Sequence, residues 1–200
     1  APHANPRAPT KGTTMFGTDK PATDEPIGTL EAVHLFDGAM PTGVSVSRTG
    51  RVFVCFPKWG DDVEFTVAEI RDGELVAFPD QKSNDNDGDA DPDALVSVQS
   101  IVVDPADRLW LLDTGSPMFQ PVSHGGPKLV CVDLTSDQVV QTILFPEDVA
   151  LPTTYLNDVR FDLRRGAAGT AFITDSSDQG PNGIIVVDLA TGTSRRRLHD

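Results

Sequence analysis

Two hundred residues, 38% of them apolar, suffice for one domain with a sizeable core, and the composition is globular rather than disordered. A formal net charge of -14, from 30 acidic against 16 basic residues, argues against nucleic acid and anionic membrane as partners, because phosphate binding needs clustered Lys and Arg. No apolar run approaches the ~20 residues of a membrane helix, so membrane insertion is not expected.

The chain opens on Ala1 with the Pro-rich stretch APHANPRAPT. No charged n-region or apolar h-region precedes it, which suggests either a removed signal peptide or a fragment. Residues 1–26 read as an extension, and residues 27–200 as one domain. Helical periodicity is nearly absent. Short apolar or alternating runs recur instead, separated by Gly, Pro, Asp and Asn turns, which is an all-β pattern. The segment Gly28–Phe36 reads as an outer strand without a blade of its own.

Three blocks then repeat one order of strands and turns. The first, 42–79, contains TGVSVS, RVFVCFP, TVAEI and ELVAFP. The second, 98–146, contains VQSIVVD, RLWLLDTG, KLVCVDL and QVVQTILFP. The third, 156–199, contains LNDVRFD, TAFITDSS, GIIVVDL and TSRRRLH. Thr42, Gln99 and Asn157 take equivalent places, 57 and 58 residues apart. A period that steady, with four short strands per unit, predicts an all-β β-propeller with about three four-stranded blades in this chain. Three blades do not close a ring, so the missing C-terminal half of the propeller is an expected partner, and Gly28–Phe36 is expected to close its last blade. Within each block the second and third strands are joined by the longest loop. In an antiparallel meander those loops share a face with the starts of the first strands. Thr42, Gln99 and Asn157 should therefore lie on the same face as Trp59, Asp113 and Asp175, where propellers usually place their site.

Between the first two blocks, Asn84–Asp93 carries Asp at 85, 87, 89, 91 and 93. Alternate carboxylates around a Gly resemble a calcium loop, but Ala90 stands where the EF-hand needs Gly and Val96 where it needs Glu, so a solvated acidic loop is the favoured reading. Cys55 and Cys131 each sit inside an apolar strand-like run without a second Cys or a His at ligand spacing, and read as buried thiols. G-x-S-x-G, H-E-x-x-H, P-loop and G-x-G-x-x-G signatures are absent.

In this order, TGVSVSRTGRVFVCFPKWGDD, SVQSIVVDPADRLWLLDTG, PKLVCVDLTSDQVVQTILFP, LNDVRFD and AFITDSSDQGPNGIIVVDLATG resemble the N-terminal half of the major royal jelly/Yellow family. The resemblance implies a six-bladed propeller, secreted or periplasmic, that binds a small molecule at the axial channel mouth. An Arg-over-Lys bias, 11 to 5, fits a bacterial member. More distantly, LNDVRFD followed by AFITDSS resembles the gluconolactonase-type lactonases. That likeness implies an alternative, a metal-dependent hydrolase with a divalent cation such as Ca²⁺ at the axis and Asn157 among its ligands. A dopachrome-type isomerase is a further alternative, by resemblance to insect members. Thr42 and Gln99 stand where the lactonases would place better cation ligands.

The candidate ligand-binding residues are Asn157, Gln99, Thr42, Trp59, Asp113 and Asp175. For Asn157, an amide facing the channel competes with a cap on the turn into its strand. Asp113 and Asp175 read either as channel-mouth acids or as acceptors for turn N–H groups, and their recurrence in two blades favours the second. Trp59 either walls an aromatic pocket or packs between blades.

Overall fold

The computed structural model describes residues 28–85, 92–123 and 125–199. Residues 28–33 fall in a unit of their own and hold no strand or helix, while the sheets all lie in the unit that begins at His34. Among the described residues, twelve strands form three four-stranded antiparallel sheets. The first comprises β1 (Gly43–Val46), β2 (Val52–Cys55), β3 (Val67–Arg71) and β4 (Glu74–Ala77). The second comprises β5 (Val98–Val103), β6 (Arg108–Asp113), β7 (Lys128–Asp133) and β8 (Gln138–Leu144). The third comprises β9 (Leu156–Asp162), β10 (Thr170–Asp175), β11 (Gly183–Asp188) and β12 (Ser194–Arg197). Each sheet is a meander in chain order, and neighbouring sheets meet through their first strands, β1 beside β5 and β5 beside β9. Consecutive meanders with their first strands side by side are blades of a propeller.

Local chemistry sets the turns and the register. Asp72 and Gly73 form a two-residue hairpin loop with φ of 52° and 87°, the mirror-image turn that an Asp-Gly pair adopts most readily. The middle strands are buried on both faces: Leu109, Trp110, Leu111 and Leu112 of β6 are all 0% exposed, which explains a continuous apolar run rather than an alternating one. One apolar layer joins the first two blades through Phe53, Val67, Leu109 and Leu111, and a second joins the last two through Trp110, Leu129, Val159 and Ile173. Side-chain to backbone bonds stitch the first two blades together. The Ser45 hydroxyl accepts from Val103 N at 2.8 Å, and the Thr66 hydroxyl accepts from Val98 N at 2.7 Å.

Residues 28–42 form no strand within this chain, and the sheet that Gly28–Phe36 is expected to complete, the last blade of the ring, is none of the three present. The basic run Arg195–Arg197 is split by the period of a strand: Arg196 is buried, while its two neighbours are exposed. Most of the acidic run falls outside the described residues, at 86–91. Its first member, Asn84, is buried and structural, accepting from Val67 N and donating to the carbonyls of Phe78 and Asp80. Cys55 and Cys131 are free and buried.

Two acidic clusters tie stability to pH. Burial pushes the Glu69 carboxyl up, but hydrogen bonds and charge from Arg51 and Arg71 outweigh it and leave the group below its ordinary value. At Asp104 the same contest is won by bonds from Trp110 and Arg108. Carboxyls lowered by folding stabilise fully above their unfolded values, about 4, and lose that contribution as pH falls through the folded ones. Urea midpoints of the full-length protein should therefore hold level from neutrality to about pH 5 and drop below about pH 4, with a shallower acid limb in Glu69→Gln. A wild-type midpoint unchanged to pH ~2 would contradict this account.

Candidate functional site

Thr42 immediately precedes β1, Gln99 is the second residue of β5, and Asn157 is the second residue of β9. Both strand positions stand at irregularities in the ladder. Val98 pairs with Asp113 and Ser100 with Leu112, leaving Gln99 without a cross-strand mate. Leu156 pairs with Asp175 and Val159 with Ile173, leaving Asn157 and Asp158 opposite Thr174. Such bulges re-aim side chains at the rim of a sheet. The three residues converge on one cavity of about 310 Å³, whose walls also include Gly43, Asp158 and Arg160.

The polar groups around it form a directed chain. Trp59 Nε1 donates to the Tyr155 hydroxyl at 2.6 Å, which donates to Gln99 Oε1 at 2.9 Å. Gln99 Nε2 donates to Asn157 Oδ1 at 3.2 Å. Burial raises the Tyr155 hydroxyl to about 12, against the opposing bond from Trp59, so it stays protonated and able to donate at physiological pH. Thr42 gives its own hydrogen to the Gln99 carbonyl at 2.8 Å, joining the first blade to the second. Burial likewise raises the Cys55 thiol to about 12, and its S–H lies 3.4 Å from that carbonyl, so it is a neutral donor rather than a nucleophile. On the wall, Asp158 accepts from the Ser100 hydroxyl at 2.9 Å and pairs with Arg160 at 2.6 Å.

Close approach at the start of β1 requires a glycine. A Cβ on Gly43 would lie 2.8 Å from Cys55 Sγ and 3.4 Å from Ile101. Gly43→Ala should cost about 1–3 kcal/mol in denaturant unfolding, because the buried thiol has to move into a packed layer. A neutral substitution would mean that the thiol repacks freely.

Trp59 is both an aromatic wall and a hydrogen-bond anchor. It stacks on Phe119 (centroids 5.6 Å apart, planes at 21°), and Phe119 lies 4.8 Å from Tyr155. Met118 and Phe119 both take positive φ, 56° each, and Met118 N donates to Lys58 O at 2.7 Å, tying the long loops of two blades together.

Asp113 and Asp175 sit at the expected end of the blades but do not line the cavity. Asp113 accepts from the N–H groups of Val96, Ser97 and Gly115 and pairs with the buried Lys128 at 3.7 Å; the Lys128 ammonium also donates to Ala94 O. Asp175 accepts from Tyr155 N, Ser177 N, the Thr154 hydroxyl and Arg196. Their oxygens accept bonds within the protein, and both act as internal clamps. Tyr155, Phe119 and Arg160 were not singled out from the sequence. The signal for Tyr155 was its being the one tyrosine, an amphipathic ring just ahead of a blade start.

A divalent cation at the axis does not fit these residues. It needs several oxygen ligands at once, yet Asn157 Oδ1 already accepts from Gln99 and the Asp158 carboxylate is paired with a guanidinium. Among the described residues, no three His, Cys, Asp or Glu side chains are grouped to hold a metal.

Sequential four-stranded meanders around a shared polar axis define this chain as part of a β-propeller with an axial cavity. The sequence profile of the major royal jelly proteins matches residues 96–200, just over half of the chain. The chain belongs to the major royal jelly protein family. Over 139 residues it is 31% identical to protein yellow of Drosophila erecta and, equally, of Drosophila melanogaster, covering 65% of this chain and 25% of each relative. It thus spans about a quarter of the length of these curated relatives. Among solved structures it is similar to a protein of unknown function from Bacteroides caccae, with 13% identity, a TM-score of 0.42, and coverage of 82% of this chain and 62% of that one.

Proposed function

We propose that this chain is part of a secreted or periplasmic β-propeller that binds a small molecule in the axial cavity, at the face where its blades begin. The observation that carries the reading is the convergence of Thr42, Gln99 and Asn157, each from a different blade, on one cavity of about 310 Å³. That volume suits a small ligand, and a concave site with a few fixed polar groups is the usual form of such a pocket. Family membership supports the export part of the proposal, and culture fractionation tests it directly. For binding, small-fragment screening by ligand-observed NMR on the full-length protein should find ligands that Asn157→Ala weakens tenfold or more, without unfolding. Fragments bound equally well by the variant would place the site elsewhere, and Asn157 would then be only a turn residue.

A further inference from the structure

We propose that the axial cavity selects ligands that accept hydrogen bonds, taking a small molecule that presents a carboxylate or carbonyl oxygen to the Asn157 amide, and that Trp59 is the positioning residue that sets this polarity. The proposal rests on the small-molecule-binding reading and gives it a ligand class.

The argument starts from the indole, which has an N–H to give and no lone pair to offer. The Tyr155 hydroxyl, 2.6 Å from Trp59 Nε1, must therefore accept there. Its single hydrogen needs another acceptor, and Gln99 Oε1 stands at 2.9 Å. Tyr155 and Gln99 are 7% and 8% exposed, so a donor or acceptor left unmatched between them would be costly. Placing the Gln99 oxygen toward Tyr155 turns its NH₂ toward Asn157, whose oxygen accepts at 3.2 Å. The Asn157 NH₂ is then the free end of the chain. Among the described residues it donates to none, and it belongs to the cavity wall. Each link fixes the next, so a residue in an outer loop of the first blade decides which end of an amide in the third blade faces the ligand. Arg160, on the same wall, adds a positive rim, although Asp158 partly neutralises it. At the Asn157 amide a ligand offering only N–H groups would meet a donor, and the one carboxylate on the wall, Asp158, is held by Ser100 and Arg160.

Benzoate and benzamidinium are matched in shape and opposite in hydrogen-bonding sense, and suit a test on the full-length ¹⁵N-labelled protein. Benzoate should shift the side-chain NH₂ signals of Asn157 and Gln99 saturably and bind at least tenfold tighter than benzamidinium. Asn157→Asp should reverse that order. Trp59→Phe, which keeps a ring for stacking on Phe119 but removes the donor, should bring the ratio of the two affinities toward one. Tyr155→Phe breaks the same chain and serves if Trp59→Phe folds poorly. Mere loss of packing would weaken both probes alike, and an unchanged ratio in both variants overturns the role of Trp59. Wild-type preference for benzamidinium overturns the polarity while leaving the binding reading intact. If neither probe perturbs Thr42, Gln99 or Asn157, both readings fall.

Discussion

Asp175→Ala is expected to cost the full-length protein about 3–5 kcal/mol, most or all of the stability of a marginal domain. Asp175 and Arg196 are buried together, their side chains 0% and 4% exposed, and the pair closes at 2.8 Å. Arg196 also donates to the carbonyls of Val149 and Pro181, but its Nε has no partner, so it is already short of acceptors before the carboxylate is removed. Deleting Asp175 leaves a buried charge uncompensated and orphans the N–H groups of Tyr155 and Ser177. Urea unfolding measures the loss. The double variant Asp175→Ala with Arg196→Met should recover a substantial part of it, since the charge is removed with its partner. A single-variant cost under ~1 kcal/mol would mean that water reaches Arg196 and that the clamp is not needed.

Trp110→Ala is expected to cost a comparable amount, about 3–5 kcal/mol. The ring is 0% exposed in the layer between the second and third blades, with its centroid 5.1 Å from that of Phe161. Its Nε1 donates to Asp104 at 2.9 Å, and the Arg108 guanidinium lies 5.3 Å from its centroid. Alanine opens a cavity and takes a donor from a nearly buried carboxylate at once. Trp110→Phe keeps most of the packing and removes only the donor, so its cost should be nearer 1–2 kcal/mol. Equal costs for the two variants would assign the whole effect to the hydrogen bond, against the packing account.

The repeat made much of this architecture legible. Equivalent turns 57 and 58 residues apart placed Thr42, Gln99 and Asn157 at blade starts, and symmetry then brought them to one cavity. The role of Asp113 and Asp175 was legible through their recurrence in two successive blades, because a structural clamp can recur whereas a reacting group need not. The chain from Trp59 to Asn157 was not legible. Its links join residues 96, 56 and 58 positions apart, and each depends on how one blade packs against the next. Arg196 was hidden for a different reason: three successive arginines look like a surface patch until a strand sends alternate ones to opposite faces. The strand expected over Gly28–Phe36 has no partner edge in this chain, since a strand-like composition forms a strand only beside a free edge.

The ladder irregularities at Gln99 and Asn157 separate two kinds of information. Cross-strand mates constrain most residues of a blade, so altering one disturbs its neighbour. Gln99 and Asn157 have no such mates, and neither belongs to the Asp113 or Asp175 clamp. Sequence drift at Asn157 leaves the ladder and the clamps intact, whereas drift at Gln99 also costs the buried Tyr155 hydroxyl its acceptor. If the cavity binds a ligand as proposed, a lineage can revise its preference at Asn157 while inheriting the scaffold unchanged, and closely similar blades can serve descendants with dissimilar ligands.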